Sequence, residues 1–278
     1  MKMVRQDALT SADGTKLAFY QWDANGEVKA NVLIVHGFAE HSGRYDHFAT
    51  FLANAGYQVY AVDLRGHGHS GGIQAYVKDV GEYADDLEAA ITFIQTVSPE
   101  KKLFVHGHSM GGLVVVKTAL DRKPSLAGVL LTGAGLKVDP DLSPMLQRLT
   151  PLIAMLAPKL KAVKLDASLV SRDPEVVKKY QEDPLVYHGG IKAGYAAAVL
   201  STIKNLSGRF SEFEYPVLIL HGEKDKLTDP AGSAQLAHDA GSSDLTHKVL
   251  PGLFHEILNE PEKEEIYSIM MEWLHERV

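Results

Sequence analysis

The chain contains no cysteine in 278 residues. That single absence excludes disulfides, thiolate metal sites and cysteine nucleophiles together, and it fits a reducing compartment. Net positive charge is also missing: 35 acidic residues against 28 Lys and Arg leave −7, which argues against a general affinity for nucleic acid. No stretch approaches the roughly 20 consecutive apolar residues that a membrane-spanning helix requires. Residues 1–14 are polar with scattered charge and have no apolar leader core, so the cytoplasm is the default expectation. No repeat at solenoid period and no low-complexity tract breaks the chain. What remains is an ordinary globular composition, 45% hydrophobic and 23% charged, long enough to bury a large core.

Short apolar runs ending in glycine or a polar turn alternate with longer helical patterns. The clearest runs are Asn31–His36, Gln58–Asp63, Leu103–His106, Gly128–Thr132 and Val217–His221. Continuous apolar strands between amphipathic helices imply a mostly parallel sheet covered on both faces, an α/β fold. Met3–Leu9 and Leu17–Trp22 flank the turn Ala12-Asp13-Gly14 and read as antiparallel edge strands. Helices are expected at His47–Ala55, Gly81–Val97, Gly112–Leu120, Ala231–Ala240 and Glu262–Arg277.

From Leu136 to Phe210 the alternation stops. The gap is far longer than one crossover helix needs. Asp139-Pro140, Ser143-Pro144, Thr150-Pro151 and Asp173-Pro174 each place an N-cap residue before a proline at the first helical position. Several short helices are therefore expected, forming a cap over residues 136–210 inserted in a core made of residues 1–135 and 211–278. Leu142, Met145, Leu149, Ile153 and Met155 are candidates for an apolar substrate wall.

Gly107-His108-Ser109-Met110-Gly111 fits G-x-S-x-G, with a strand before it and a helix after it. That context makes Ser109 a candidate nucleophile, because the motif works only as a sharp strand-to-helix turn with small neighbours. A serine hydroxyl needs a base to take its proton and a third group to orient that base. In this fold the order along the chain is Ser, acid, His. His255 lies in a loop after the strand His247–Leu250, and is the candidate base among 13 histidines. Two aspartates follow the strand Val217–Gly222. Asp229 precedes Pro230 and a helical run, so it reads as a helix cap, which leaves Asp225 as the acid. An oxyanion would need two backbone N–H donors, for which Met110 and Phe38 are the candidates. Arg65, His67 and His69 resemble a metal or phosphate cluster, but the glycines between them favour a tight structural loop. No metal and no cofactor are expected.

Three segments together resemble the monoacylglycerol lipase family, within the serine-aminopeptidase-like and lysophospholipase-like α/β-hydrolases. They are His36-Gly37-x-x-Glu40-His41-Ser42-Gly43-Arg44-Tyr45, Asp63-x-Arg65-Gly66-His67-Gly68, and the Gly107–Gly112 motif, with Ser171-Arg172-Asp173-Pro174, His221-Gly222-x-x-Asp225 and His255-Glu256 further on. The resemblance implies an α/β-hydrolase fold with a helical cap and a serine esterase acting on single-chain lipid esters. It implies contact of Glu40, Arg44 and His108 with the glycerol end of the substrate, and passing contact of the cap with a membrane or micelle surface. A general carboxylesterase or lysophospholipase is the alternative within the same mechanism. A non-catalytic ligand receptor on this fold is the alternative outside it.

Overall fold

Alternate residues of the central strands point to opposite faces of the sheet, and both faces are apolar. The computed structural model describes residues 4–137, 150, 152–161 and 163–278, and in the first strand side chains from Leu9 onward. Among the described residues, eight strands form one sheet in the order β1-β2-β4-β3-β5-β6-β7-β8. They are β1 Val4–Thr10, β2 Lys16–Trp22, β3 Ala30–Val35, β4 Tyr57–Val62, β5 Leu103–His108, β6 Gly128–Thr132, β7 Val217–Gly222 and β8 Leu245–Leu250. β2 runs antiparallel to both β1 and β4, and every other pairing is parallel. The edge hairpin turns where expected, with Gly14 at φ +87° and Thr15 N–H donating to Asp13 Oδ1.

On one face Leu33, Val105, Leu131 and Ile219 pack beneath α2 Gly81–Val97 and α3 Met110–Arg122. On the other, Ile34, Phe104, Leu130 and Leu218 meet α1 Asp46–Asn54 and the C-terminal helix Lys263–His275. Each fully buried Leu, Ile or Phe contributes about 1.5–3 kcal/mol of transfer free energy, which fixes strand register wherever both faces are covered.

The regular secondary structure in the described part of the insertion between β6 and β7 is helical, joined by turns and irregular segments, apart from an isolated bridge between Lys161 and Lys192. Residues 152–156 are helical, as the Thr150-Pro151 signal implies. Helix α4, Pro174–Glu182, begins where Asp173 accepts a hydrogen bond from Glu175 N–H at 2.9 Å with proline at its first turn. The expectation of short helices fails for α5, which runs 15 residues from Ala193 to Ser207. Its start carries no side-chain cap, so no capping signal in the local sequence announces where it begins. The Asp139-Pro140 and Ser143-Pro144 signals lie outside the described residues.

Bonds to the rim of the sheet fasten the insertion. Tyr187 N–H donates to Ala39 O, Glu256 N–H to Val170 O, and His41 Nε2 pairs with Asp183 Oδ2 at 2.9 Å. The last two helices are α6, Pro230–Asp239, over β7 and β8, and α7, Lys263–His275.

Candidate active site

Ser109 sits on the turn between β5 and α3 at φ +54°, ψ −118°, a conformation that non-glycine residues rarely adopt. The turn is held from outside. Ser109 N–H donates to Thr132 O at 3.0 Å, and its carbonyl accepts from Gly135 N–H at 2.9 Å. Close backbone approach is the other requirement: a Cβ on Gly111 would lie 2.2 Å from Val35 O, and one on Gly107 2.7 Å from Gly111 O. Among the described residues, neither the Met110 N–H nor the Phe38 N–H has a protein acceptor. Both residues line the cavity that Ser109 opens into.

The loop carrying Phe38 is fastened by buried charge. Glu40 Oε1 accepts from Gly37 N–H at 2.6 Å and from Tyr45 O–H at 2.7 Å, while Oε2 takes Arg44 Nη1 at 2.6 Å. Burial would push the Glu40 carboxyl up, but the Arg44 charge beside it, helped by His108 and His36, holds it at about 2. Arg44 then bridges to Glu256 with two parallel hydrogen bonds of 2.6 and 2.7 Å, and its guanidinium lies 4.7 Å from the centre of the Tyr180 ring. Glu40 and His108 line the cavity with Glu256; Arg44 does not. The glycerol contact implied for Arg44 by the resemblance is not seen here: its described bonds go to the two carboxylates that line the wall, and Arg44 itself stands behind them.

Asp225 lies in the loop off the carboxyl end of β7. Its Oδ1 accepts backbone N–H bonds from Leu227 and Thr228 at 2.8 and 3.0 Å. Its Oδ2 takes His255 Nδ1 at 2.7 Å, Thr228 Oγ1 at 2.9 Å and His221 Nε2 at 3.0 Å. Burial opposes the charge, yet His255 and these donors hold the carboxyl far below its usual range. Burial would likewise lower His255, but the charge and hydrogen bond of Asp225, with Glu256 and Glu40 nearby, outweigh it and raise the imidazole above its ordinary value. The ring of His108 stands 4.7 Å from that of His255, between centroids. Burial, reinforced by His255, pushes His108 down to about 4. Asp229 is elsewhere, capping α6 through Ala231 N–H at 2.9 Å and pairing with Lys137.

Ser109, His255, Phe38, Met110, Glu40 and His108 therefore share one cavity. Asp225 lies behind His255, and Arg44 behind Glu40. The apolar lining among the described residues comes from other side chains than those the sequence suggested. Tyr195, Val199 and Ile203, four residues apart on α5, face Leu113 of α3, with Val170 and Ile191 closing the sides. Tyr195 stacks on Phe38 at 4.5 Å and 22°. Ile153 and Met155 do not line this cavity, and Met155 is 71% exposed. Leu142, Met145 and Leu149 lie outside the described residues. The i, i+4, i+8 spacing of Tyr195, Val199 and Ile203 is the signal that could have located the wall; Thr228 and Tyr180 carried none.

The profile of the family described as Serine aminopeptidase, S33 matches residues 26–262. The chain is similar to the monoacylglycerol lipase of Mycolicibacterium smegmatis, at 35% identity over 97% of this chain and 96% of that one. It is also similar to the monoglyceride lipase of Rattus norvegicus, at 31% identity over 97% and 90%. Among solved structures, the monoacylglycerol lipase of Paleococcus ferrophilus superposes with a TM-score of 0.84 at 30% identity, covering the whole of both chains.

Proposed function

The chain belongs to the serine aminopeptidase S33 family of α/β-hydrolases, and from that membership and the geometry of its cavity we propose a serine carboxylester hydrolase that cleaves monoacylglycerols to fatty acid and glycerol. The observation that carries this reading is the form of the cavity. Among the described residues, the cavity that holds Ser109 is lined by apolar side chains of α5 and α3 and, on its polar part, by Glu40, His108 and Glu256 with His255. A cavity of that kind suits one acyl chain and one small polyol, and sterically disfavours glycerol carrying two or three chains. Residues 136–210 act in this reading as the lid over the chain, with residues 1–135 and 211–278 as the catalytic core.

In the reaction, His255 Nε2 takes the proton of Ser109 Oγ as the oxygen attacks the ester carbonyl. Asp225 holds the Nδ1–H tautomer and stabilises the imidazolium that forms. The developing oxyanion receives the N–H groups of Phe38 and Met110, each such donor being worth on the order of 10²–10³ in rate. Collapse returns the proton to the leaving glycerol oxygen and leaves an acyl ester on Ser109, which water then cleaves by the same steps in reverse order. Glu40 and Arg44 support this chemistry indirectly, by fixing the loop that presents Phe38.

The test is hydrolysis of mono-, di- and triacylglycerol, lysophospholipid and a short aryl ester at matched dispersion, beside fluorophosphonate labelling of the wild type and Ser109→Ala. We expect the monoacylglycerol to give the highest kcat/KM, and labelling to vanish in the variant. Faster cleavage of triacylglycerol would remove the single-chain reading, and persistent labelling of Ser109→Ala would remove the nucleophile.

A further inference from the structure

Asp225 Oδ2 has more donors around it than orienting one histidine requires. Thr228 Oγ1 has a single proton and two takers, Asp225 Oδ2 at 2.9 Å and Gly133 O at 3.0 Å. The Nε2 of His221 faces Asp225 Oδ2 at 3.0 Å, in a pair whose side chains are both fully shielded from solvent. On its other side His221 Nδ1 lies 2.7 Å from Ser233 Oγ of α6, and that hydroxyl has no other hydrogen-bond partner among the described residues. A carboxylate oxygen can only accept. Hence Nε2 must carry the proton, and the Ser233 hydroxyl donates to the bare Nδ1.

We propose that His221 is a positioning residue of the candidate catalytic apparatus: a second imidazole N–H donor on Asp225, with its tautomer set by Ser233, that shares the carboxylate with His255 and tempers its hold on that base. The inference rests on reading Asp225 and His255 as acid and base. Its physical content is competition. A carboxylate that donates part of its charge to one fixed N–H stabilises a neighbouring imidazolium less, so His255 gives up its proton at a lower pH than it would with Asp225 to itself. The other titratable and charged groups in reach are Glu256 beside His255, Glu40 on the Phe38 loop, His108 from β5 and His247 from β8 against His221. Arg44 stands between the two glutamates. His221→Leu leaves Glu256, Glu40, His108 and Arg44 in place and removes only the interaction with His247 among them.

The experiment is the pH profile of kcat/KM for the wild type, His221→Leu and His221→Gln, on one soluble ester. Loss of the donor should move the acid limb upward, by on the order of half a pH unit, and lower the plateau kcat several-fold with KM unchanged, because His221 does not line the cavity. Glutamine, whose amide supplies an N–H, should bring the limb back toward the wild-type position. A limb that stays in place in His221→Leu, or moves equally in both variants, would overturn the proposal, since a merely structural residue would lower the plateau alone. A second measurement does not depend on the leucine variant folding. The ¹⁵N spectrum of histidine-labelled wild type, with the His221 signals identified by their loss in His221→Gln, should show the proton on Nε2. A proton on Nδ1 would refute the arrangement. Failure of the catalytic reading itself would look different: no labelling of Ser109 and no acid limb in the wild type.

Discussion

At the scale of the residue, Arg44 has the most to say. A guanidinium with little access to water survives only when its charge is matched, and here two carboxylates match it, Glu40 at 2.6 Å and Glu256 at 2.6 and 2.7 Å. Glu40 in turn grips the backbone of Gly37, one residue before the N–H proposed for the oxyanion, and Glu256 follows His255 directly in the chain. The three charges tie the Phe38 loop to the loop of the base. Removing Arg44 leaves two buried carboxylates without a counter-charge, a loss of about 3–5 kcal/mol for a buried pair broken from one side. Arg44→Ala should therefore depress kcat/KM equally for a monoacylglycerol and for a p-nitrophenyl ester of the same acyl chain, and lower the melting temperature. A loss confined to the glycerol ester would return Arg44 to the substrate-binding role that its motif implies.

At the scale of the element, the insertion has two contrasting faces. Helix α5 turns Tyr195, Val199 and Ile203 into the cavity. Around residues 152–164, however, Leu152, Met155, Leu156, Leu160 and Val163 are exposed, Leu156 to 74%, with the exposed Lys159, Lys161 and Lys164 among them. In the proposed reading, this exposed apolar stretch with its lysines is where the lid would meet the boundary of a lipid layer. We accordingly expect Met155→Glu together with Leu156→Glu to reduce hydrolysis of micellar or vesicle-borne substrate several-fold and to leave that of a soluble ester within about two-fold. Equal rates on both substrate forms, relative to wild type, would take the lipid surface out of the account.

At the scale of the molecule, the pH response comes from charges carried on separate elements. In the proposed mechanism His255 acts as a base only when neutral. Asp225 on the β7 loop, Glu256 beside it and Glu40 from the β3 loop together overcome burial and hold its proton to a pH above the ordinary histidine value. The sign follows: kcat/KM should fall as pH drops through that raised value, above the mildly acid range typical of an unperturbed histidine. Glu40 titrates at about 2 and Asp225 lower than its usual range, so neither adds a second proton to that limb. A kcat/KM profile with a single-proton acid limb above the ordinary histidine value is the expected result. A limb below about pH 6 would show that burial and not the carboxylates governs the base.

Local chemistry made much of this chain legible without coordinates. Apolar strands that alternate with amphipathic helices admit few arrangements other than a parallel sheet with two covered faces, and Gly81–Val97 and Gly128–Thr132 lie where their patterns end. Proline after an N-cap residue announced α4 and α6, and glycines around Ser109 announced a turn that no larger side chain can enter. Order along the chain was enough to nominate Ser109, Asp225 and His255. Only tertiary structure decided what surrounds them. Helix α5 begins without a capping side chain and draws its stability from packing on Phe38 and α3, which no window of local sequence contains. Arg44 and Glu256 are separated by 212 positions, so whether Arg44 would face a substrate or a carboxylate could not be read from either neighbourhood. His221 read as the end of a strand; it faces Asp225 because the β7 loop turns back on itself, and Ser233 reaches it only once α6 packs on the sheet. Short-range rules set the elements, and long-range burial, which pairs or starves each charge according to what the fold lays beside it, set the site.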